Sequence, residues 1–469
     1  MIFTQAVFFV FFAVVASIYW LLRGNGTRKA WLLAASYVFY GSWDWRFLGL
    51  ILISTLVDYV AGIGIEGAAD GWRKRLWLYA SLAINLGLLG YFKYFNFFVE
   101  SGVGLLNLFG LELAPMRADI ILPVGISFYT FQSLSYSIDI YRGELQARRS
   151  PLDFALFVAF FPQLVAGPIV RAVEFLPQLD VRRRLADVEF RACLTLFLFG
   201  FIKKACVADR VAPMVDRIFS DPEAVGTTGR WIGAGLFNVQ LYCDFSGYSD
   251  MAMATAGLLG YRLVENFRFP FFAPSVGEFW RRWHISLTSW IRDYLYIYLD
   301  WLWVRLGGNK RSRWRIYTAL FGVYTAVGLW HGASWNFVFF GMNAGLFVVL
   351  EAAGKMKWIT SRGWLAYPYV FLFWTMSAVF FRSGGLDHVV PYVTGMFGAG
   401  GPATDPVALR WAAVFPLFLV VHFAMYRRFL HDFFRRLPDW AFAAVYGVAA
   451  ALVLPWASVG YQAFVYFQF

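Results

Sequence analysis

Charge is scarce in this chain. Only 15% of its 469 residues are Asp, Glu, Lys or Arg, against about 25% in an ordinary soluble domain, so it lacks the polar surface to face water on every side. Cysteine is scarcer still. Cys193, Cys206 and Cys243 are the three; none belongs to a CxxC pair, so they read as apolar fillers rather than disulfide partners or metal ligands. No basic stretch precedes the apolar run at 1–22, which argues against a cleavable secretory signal and for a retained first helix. There is no internal repeat, no low-complexity tract and no segment polar enough to be a separate soluble domain.

Apolar residues are abundant instead. Hydrophobic types make up 60% of the chain and aromatics 21%. The runs at 1–22, 75–99, 194–207, 316–350, 364–381 and 440–469 are apolar or nearly so, and a membrane-crossing helix needs about 20 such residues. The expected fold is an all-α polytopic membrane protein forming one integral membrane domain over 1–469. The net charge of +12 does not indicate a nucleic-acid partner. It sits in short clusters between apolar runs: Arg23, Arg28 and Lys29; 73–75; 182–184; 305–315; Lys355 and Lys357; Arg427, Arg428, Arg435 and Arg436. Cytoplasmic loops look like this under the positive-inside rule, where they are drawn to anionic lipid headgroups.

Loop charge then sets a topology. The N-terminus lies outside; 31–66 goes out and returns, turning near Gly41 to Trp45; 76–99 goes out again and 120–141 comes back. The clusters at 142–149 and 182–191 are both basic and therefore both inside. The apolar stretch between them is broken by Pro162, Gly167 and Pro168, so 161–171 is expected to dip in and return, which non-helical backbone does only where protein covers it. Two helices should meet around 329–336. The aromatic, arginine-dotted segment 267–300 should lie at the cytoplasmic interface. About eleven crossings are expected in all, the last from 442 to 469.

Five histidines are present. His388, His422 and His431 sit in loops or at a helix end, where such residues are commonly inert. His331 differs. It lies in Gly328-Leu329-Trp330-His331-Gly332-Ala333-Ser334-Trp335-Asn336, inside an apolar hairpin, and an ionisable group at that depth is costly enough to be a functional candidate. An apolar setting keeps imidazole neutral, as a general base for a hydroxyl must be; small neighbours leave room for a substrate. The alternative is a histidine hydrogen-bonded across helices for packing. His284 follows Arg281, Arg282 and Trp283. Guanidinium groups beside aromatics suit the phosphates of an acyl-coenzyme A, though a snorkelling interfacial helix has the same composition. Asp244 and Asp250 lie in an otherwise apolar stretch, and Asp244 is expected to pair with a histidine or arginine. Asp244, His284 and His331 match no metal-ligand spacing, so no metal is expected.

Four runs in order resemble the successive signatures of membrane-bound O-acyltransferases: Phe160-Phe161-Pro162-Gln163-Leu164-Val165-Ala166-Gly167-Pro168-Ile169-Val170-Arg171, then 242–250, 279–294 and 329–336. The likeness is densest over 123–341 and is closest to the bacterial branch that O-acetylates alginate or transfers D-alanine to teichoic acids. It implies a ring of about eleven tilted helices around a central funnel, in the inner membrane of a bacterium. It also implies His331 as the histidine on which transfer depends and His284 as a second, supporting one. Arg281, Arg282, Trp283, Asp244, Trp330 and Asn336 would then line the donor site or tunnel. The implied donor substrate is acetyl-coenzyme A, with no tightly bound cofactor. The implied partners are a periplasmic or membrane-anchored acetyltransferase and an exopolysaccharide such as alginate or cellulose. Three other readings stay open: D-alanyl transfer from a carrier protein, an exporter of polysaccharide precursors using His331 and Asp244 as a proton path, and an inactive scaffold.

Overall fold

A computed structural model describes residues 1–398, 405–456 and 464–465. Among the described residues every regular element is helical. Five stretches are long and apolar enough to cross a bilayer: Asn25–Gly67, Gly71–Leu108, Trp335–Ala352, Gly363–Arg382 and Pro406–Tyr426. Ala6–Leu21 and Asp439–Val453 are apolar but shorter, and of the expected last crossing, 442–469, the stretches 457–463 and 466–469 lie outside the described residues. The sequence reading counts about eleven, and the difference has a physical source. A helix such as Gly226–Leu258, though 33 residues long, carries Asn238, Gln240, Asp244, Ser246 and Ser249, all buried. Polar residues buried inside the protein lower its hydropathy without placing it in water.

Contacts divide the chain into two compact units. The first is Met1–Glu189 with Thr255–Val264. Its helices Asn25–Asp44 and Leu48–Gly67 are joined by a 3-10 helix at Trp45–Phe47, next to the Gly41 to Trp45 stretch where a turn was expected. The short helices Pro151–Ala159 and Ala172–Asp180 are nine residues each, about 14 Å at 1.5 Å per residue, less than half the bilayer core. Residues 161 to 170 between them are all buried, so the Pro162–Gly167–Pro168 break is covered by protein.

Polar glue holds this unit together. Asp58 is fully buried and accepts hydrogen bonds from Ser81 Oγ (2.5 Å), Asn85 Nδ2 (2.9 Å) and Ser137 Oγ (3.0 Å). Those donors come from two other helices, Gly71–Leu89 and Ile126–Arg142, so one carboxyl fixes the register of three. Apolar packing is a weak guide to register among lipid-like side chains, which gives such contacts their value.

The second unit is Phe190–Ala254 with Glu265–Phe469. Helix Phe190–Phe201 runs through a π-helical stretch, Ile202–Ala208, into Asp209–Ser220. It crosses Gly226–Leu258 at Gly200 and Gly247, where a Cβ on either glycine would fall 2.6 Å from the other's carbonyl oxygen. Only glycine permits that approach. The crossing brings Lys203 to Asp250 (2.6 Å) and Lys204 to Asp244 (2.7 Å), and Lys204 also reaches Asp209 on its own helical run (2.7 Å). Asp244 also accepts from the backbone N–H of Val465 (2.7 Å). An aromatic core that includes Phe279, Trp283, Phe373, Trp374 and Phe381 fills the rest of the unit.

Candidate active site

Helices Arg313–His331 and Trp335–Ala352 form a hairpin closed by Gly332, Ala333 and Ser334, so two helices do meet where the sequence places them. Their axes approach through glycine. A Cβ on Gly328 would lie 2.1 Å from the Phe337 carbonyl oxygen, and one on Gly341 would lie 2.3 Å from that of Tyr324. Gly341 and Gly345 give the helix a small-xxx-small face, which lets backbones pack closely in lipid. We expect Gly341→Val to force the pair apart at a cost of about 1–3 kcal/mol. The check is thermal unfolding of the purified protein in detergent; a melting curve that overlays the parent's would dismiss the close crossing.

That crossing fixes His331, the last residue of its helix. His331 is 4% exposed. Its ring is edge-on to Trp330 (5.0 Å between centroids), Phe340 (5.7 Å) and Phe381 (5.2 Å). On another side it lines a cavity of about 680 Å³. Leu320, Val323, Tyr324, Val327 and His331 all line it, at helical spacing on one face. From Leu320 to His331 is eleven residues, a rise of ~16 Å, so the cavity follows this helix for about that length.

The opposite wall comes from the expected arginine–aromatic segment. It is broken into Val276–Arg282, Ile285–Trp290 and a π-helical turn, Ile291–Tyr296. Trp280, Arg281, Trp283, His284, Arg292 and Tyr296 from this segment line the cavity. π-Helical turns are rare and occur often at functional sites. Glu351 anchors the wall to the hairpin: its carboxylate accepts from the backbone N–H groups of Val276 (2.7 Å) and Gly277 (2.8 Å).

His284 occupies left-handed backbone, φ 44°, unusual for a residue with a Cβ and worth about 1–3 kcal/mol of strain that surrounding structure must hold. Backbone pairs hold it from both sides: Ile285 N–H donates to the Asn266 carbonyl and Arg268 N–H to that of Arg282, both at 2.9 Å. The position lies outside the five span candidates. Burial pushes its pKa well below the usual imidazole value, so the ring is neutral. Trp330 touches both histidines, its ring centroid 6.1 Å from that of His284.

Four of the sequence candidates, Arg281, Trp283, His284 and His331, therefore meet in one cavity, with Trp330 against both imidazoles. Three stand elsewhere. Arg282 pairs with Glu278 (2.8 Å) and does not line the cavity. Asp244 belongs to the Lys204 cluster. Asn336 donates to the Ser383 carbonyl (2.6 Å), fixing the start of its helix against the end of Gly363–Arg382. Sequence reasoning passed over Arg292, Tyr324, Glu351 and Asn266. Arg292 falls within the 279–294 run and Glu351 is a lone acid ending an apolar stretch, so both left a trace; Asn266 left none.

This geometry is a buried histidine lining a cavity, with arginines along its wall. Residues 142–383 match the model of the membrane-bound O-acyltransferase family. The chain is a membrane-bound O-acyltransferase. It is 42% identical to a probable alginate O-acetylase of Azotobacter vinelandii over 410 residues, 85% of this chain and 79% of that protein. It is 33% identical to a peptidoglycan O-acetyltransferase of Helicobacter pylori, covering 80% and 74% of the two chains. A teichoic acid D-alanyltransferase of Streptococcus thermophilus matches at 26% over 50% of this chain and 58% of its own. Membership makes this acyltransferase a multi-pass membrane enzyme, which sets aside the exporter and scaffold readings. The matched span contains the whole cavity wall and the hairpin that carries His331.

Proposed function

We propose that this acyltransferase moves an acetyl group from a cytoplasmic thioester, acetyl-coenzyme A, toward O-acetylation of an exopolysaccharide such as alginate. The observation that carries this reading is the cavity running along one helix face to His331, with Arg281 and Arg292 on its wall. A thioester arm would thread the cavity while the two guanidiniums meet the donor's phosphates. Neutral His331 would take the proton of an acceptor hydroxyl as its oxygen attacks the thioester carbonyl. The carbon–sulfur bond then breaks, an ester forms and the electron pair leaves with the thiolate. A bacterial inner-membrane location, a ring of about eleven helices and a periplasmic acetyltransferase partner belong to the same proposal. The alginate-type relatives align over far more of this chain, and at higher identity, than the D-alanyl-transferring one, which favours acetyl over D-alanyl.

The test is a reconstituted one. The purified protein in proteoliposomes should release free coenzyme A thiol from acetyl-coenzyme A when a hydroxyl acceptor is supplied. Thiol release only from a D-alanyl carrier thioester would overturn the proposal.

A further inference from the structure

We propose that Asn266 is a positioning residue that sets the tautomer of His284, with the hydrogen on Nδ1 and the lone pair on Nε2. The backbone N–H of Ser286 can only donate, and it points to Asn266 Oδ1 at 3.3 Å, with the Ser286 hydroxyl donating to the same oxygen at 2.9 Å. The amide therefore places oxygen, not nitrogen, on this side. Its Nδ2 lies 3.1 Å from Ser249 Oγ on the other, where a hydroxyl accepts, which agrees with that orientation. His284 Nδ1 is 3.0 Å from the same Oδ1. Facing an oxygen that has no proton to give, Nδ1 must carry the hydrogen.

The ring is buried and no carboxylate shares its hydrogen bond with Asn266, so a neutral imidazole with Nδ1–H has its lone pair on Nε2. Asn266 is fully buried, and its carbonyl also accepts from Ile285. Side chain and backbone of this one residue thus hold both the ring and the left-handed turn beneath it. The charged groups along the same cavity, Glu278, Arg281, Arg292 and Glu351, are each engaged: Glu278 with Arg281 and Arg282, Arg292 with Asp293, and Glu351 with two backbone N–H groups. The remaining titratable neighbours on that wall are Tyr296, Tyr324 and His331. In this tautomer the Nε2 of His284 is an acceptor, and the Nδ1 hydrogen is committed to Asn266. The ring cannot give a hydrogen bond to the oxyanion that forms at a thioester carbonyl.

This consequence for catalysis rests on the transferase reading above; the tautomer does not. Its test is nitrogen NMR of the full chain, labelled with 15N-histidine and embedded in lipid. Five histidines make the spectrum tractable, and His284→Gln assigns the signal that disappears. Wild type should show His284 protonated on Nδ1 and bare on Nε2. Asn266→Asp, which keeps an acceptor oxygen, should retain the Nδ1 proton, whereas Asn266→Ala should move a measurable share of it to Nε2. Transfer by Asn266→Ala should slow roughly 10–100-fold, as when a histidine loses its hydrogen-bonded support, with KM for the thioester within about twofold. An Nε2–H signal for His284 in wild type overturns the inference, and so does an unchanged tautomer in Asn266→Ala. Should Asn266→Ala not fold, wild type and Asn266→Asp still decide it. Wild-type protein with the expected tautomer but no transfer from acetyl-coenzyme A would instead count against the proposed function alone.

Discussion

Replacing His331 by glutamine is expected to cut acetyl transfer by about 10²–10⁴-fold, the range lost with a general base, while the protein still accumulates in the membrane. Glutamine retains a side chain of similar reach that hydrogen-bonds but takes no proton, so it separates base catalysis from packing. The fold should tolerate it, because the hairpin is held by the glycine crossing at Gly328 and Gly341 and by the Asn336 bond to Ser383, none of which involves the imidazole. His422 supplies the control. It is as buried as His331, 3% exposed, but packs among Tyr242, Phe269, Phe271, Phe272 and Phe418 and does not line the cavity. His422→Gln should keep transfer within severalfold of wild type. The measurement is ester-linked acetyl on secreted polymer per unit of membrane-embedded protein. Full acetylation in His331→Gln would leave the histidine a packing residue and the reaction without its base.

Different parts of this enzyme were legible for different reasons. Run length and the bilayer's thickness are coupled, so the all-helical class follows from composition, and turns announced themselves through residue type. The helix break at Trp45–Phe47, the covered break after Pro162 and the His331 hairpin are examples. His331 and His284 were found because an imidazole among apolar or aromatic neighbours has few inexpensive explanations. Asp244 shows the opposite case. An acid in an apolar helix signals only that something must neutralise it, and its partner Lys204 is forty residues earlier on another helix, with no periodicity linking the two. Asn266 carries even less signal, since a neutral amide next to a charged residue looks like any loop position. Its importance arises from the pairing of two backbone segments, a tertiary property that single-chain patterning does not encode.

The Lys204 cluster yields the largest expected loss of stability. Lys204 is 4% exposed and its Nζ lies 2.7 Å from carboxylate oxygens of Asp209 and Asp244, themselves 8% and 1% exposed. Lys204→Ala would leave two carboxylates facing each other out of reach of water. Breaking a buried ion pair by removing one partner typically costs about 3–5 kcal/mol, because the remaining charge loses its compensation. Asp244→Asn should cost less, since Lys204 keeps Asp209 and the substituted amide can still accept from the Val465 N–H. The ordering is therefore Lys204→Ala well below Asp244→Asn in melting temperature, with Asp244→Asn leaving KM for the thioester near the parent value. Detergent-solubilised protein, followed by thermal unfolding and by the folded fraction on size exclusion, reads the first part; thiol release reads the second. If Asp244→Asn melts like the parent yet raises KM severalfold, Asp244 acts on the donor after all, and the ion cluster is a route to the cavity rather than a lock on the two helices that cross at Gly200 and Gly247.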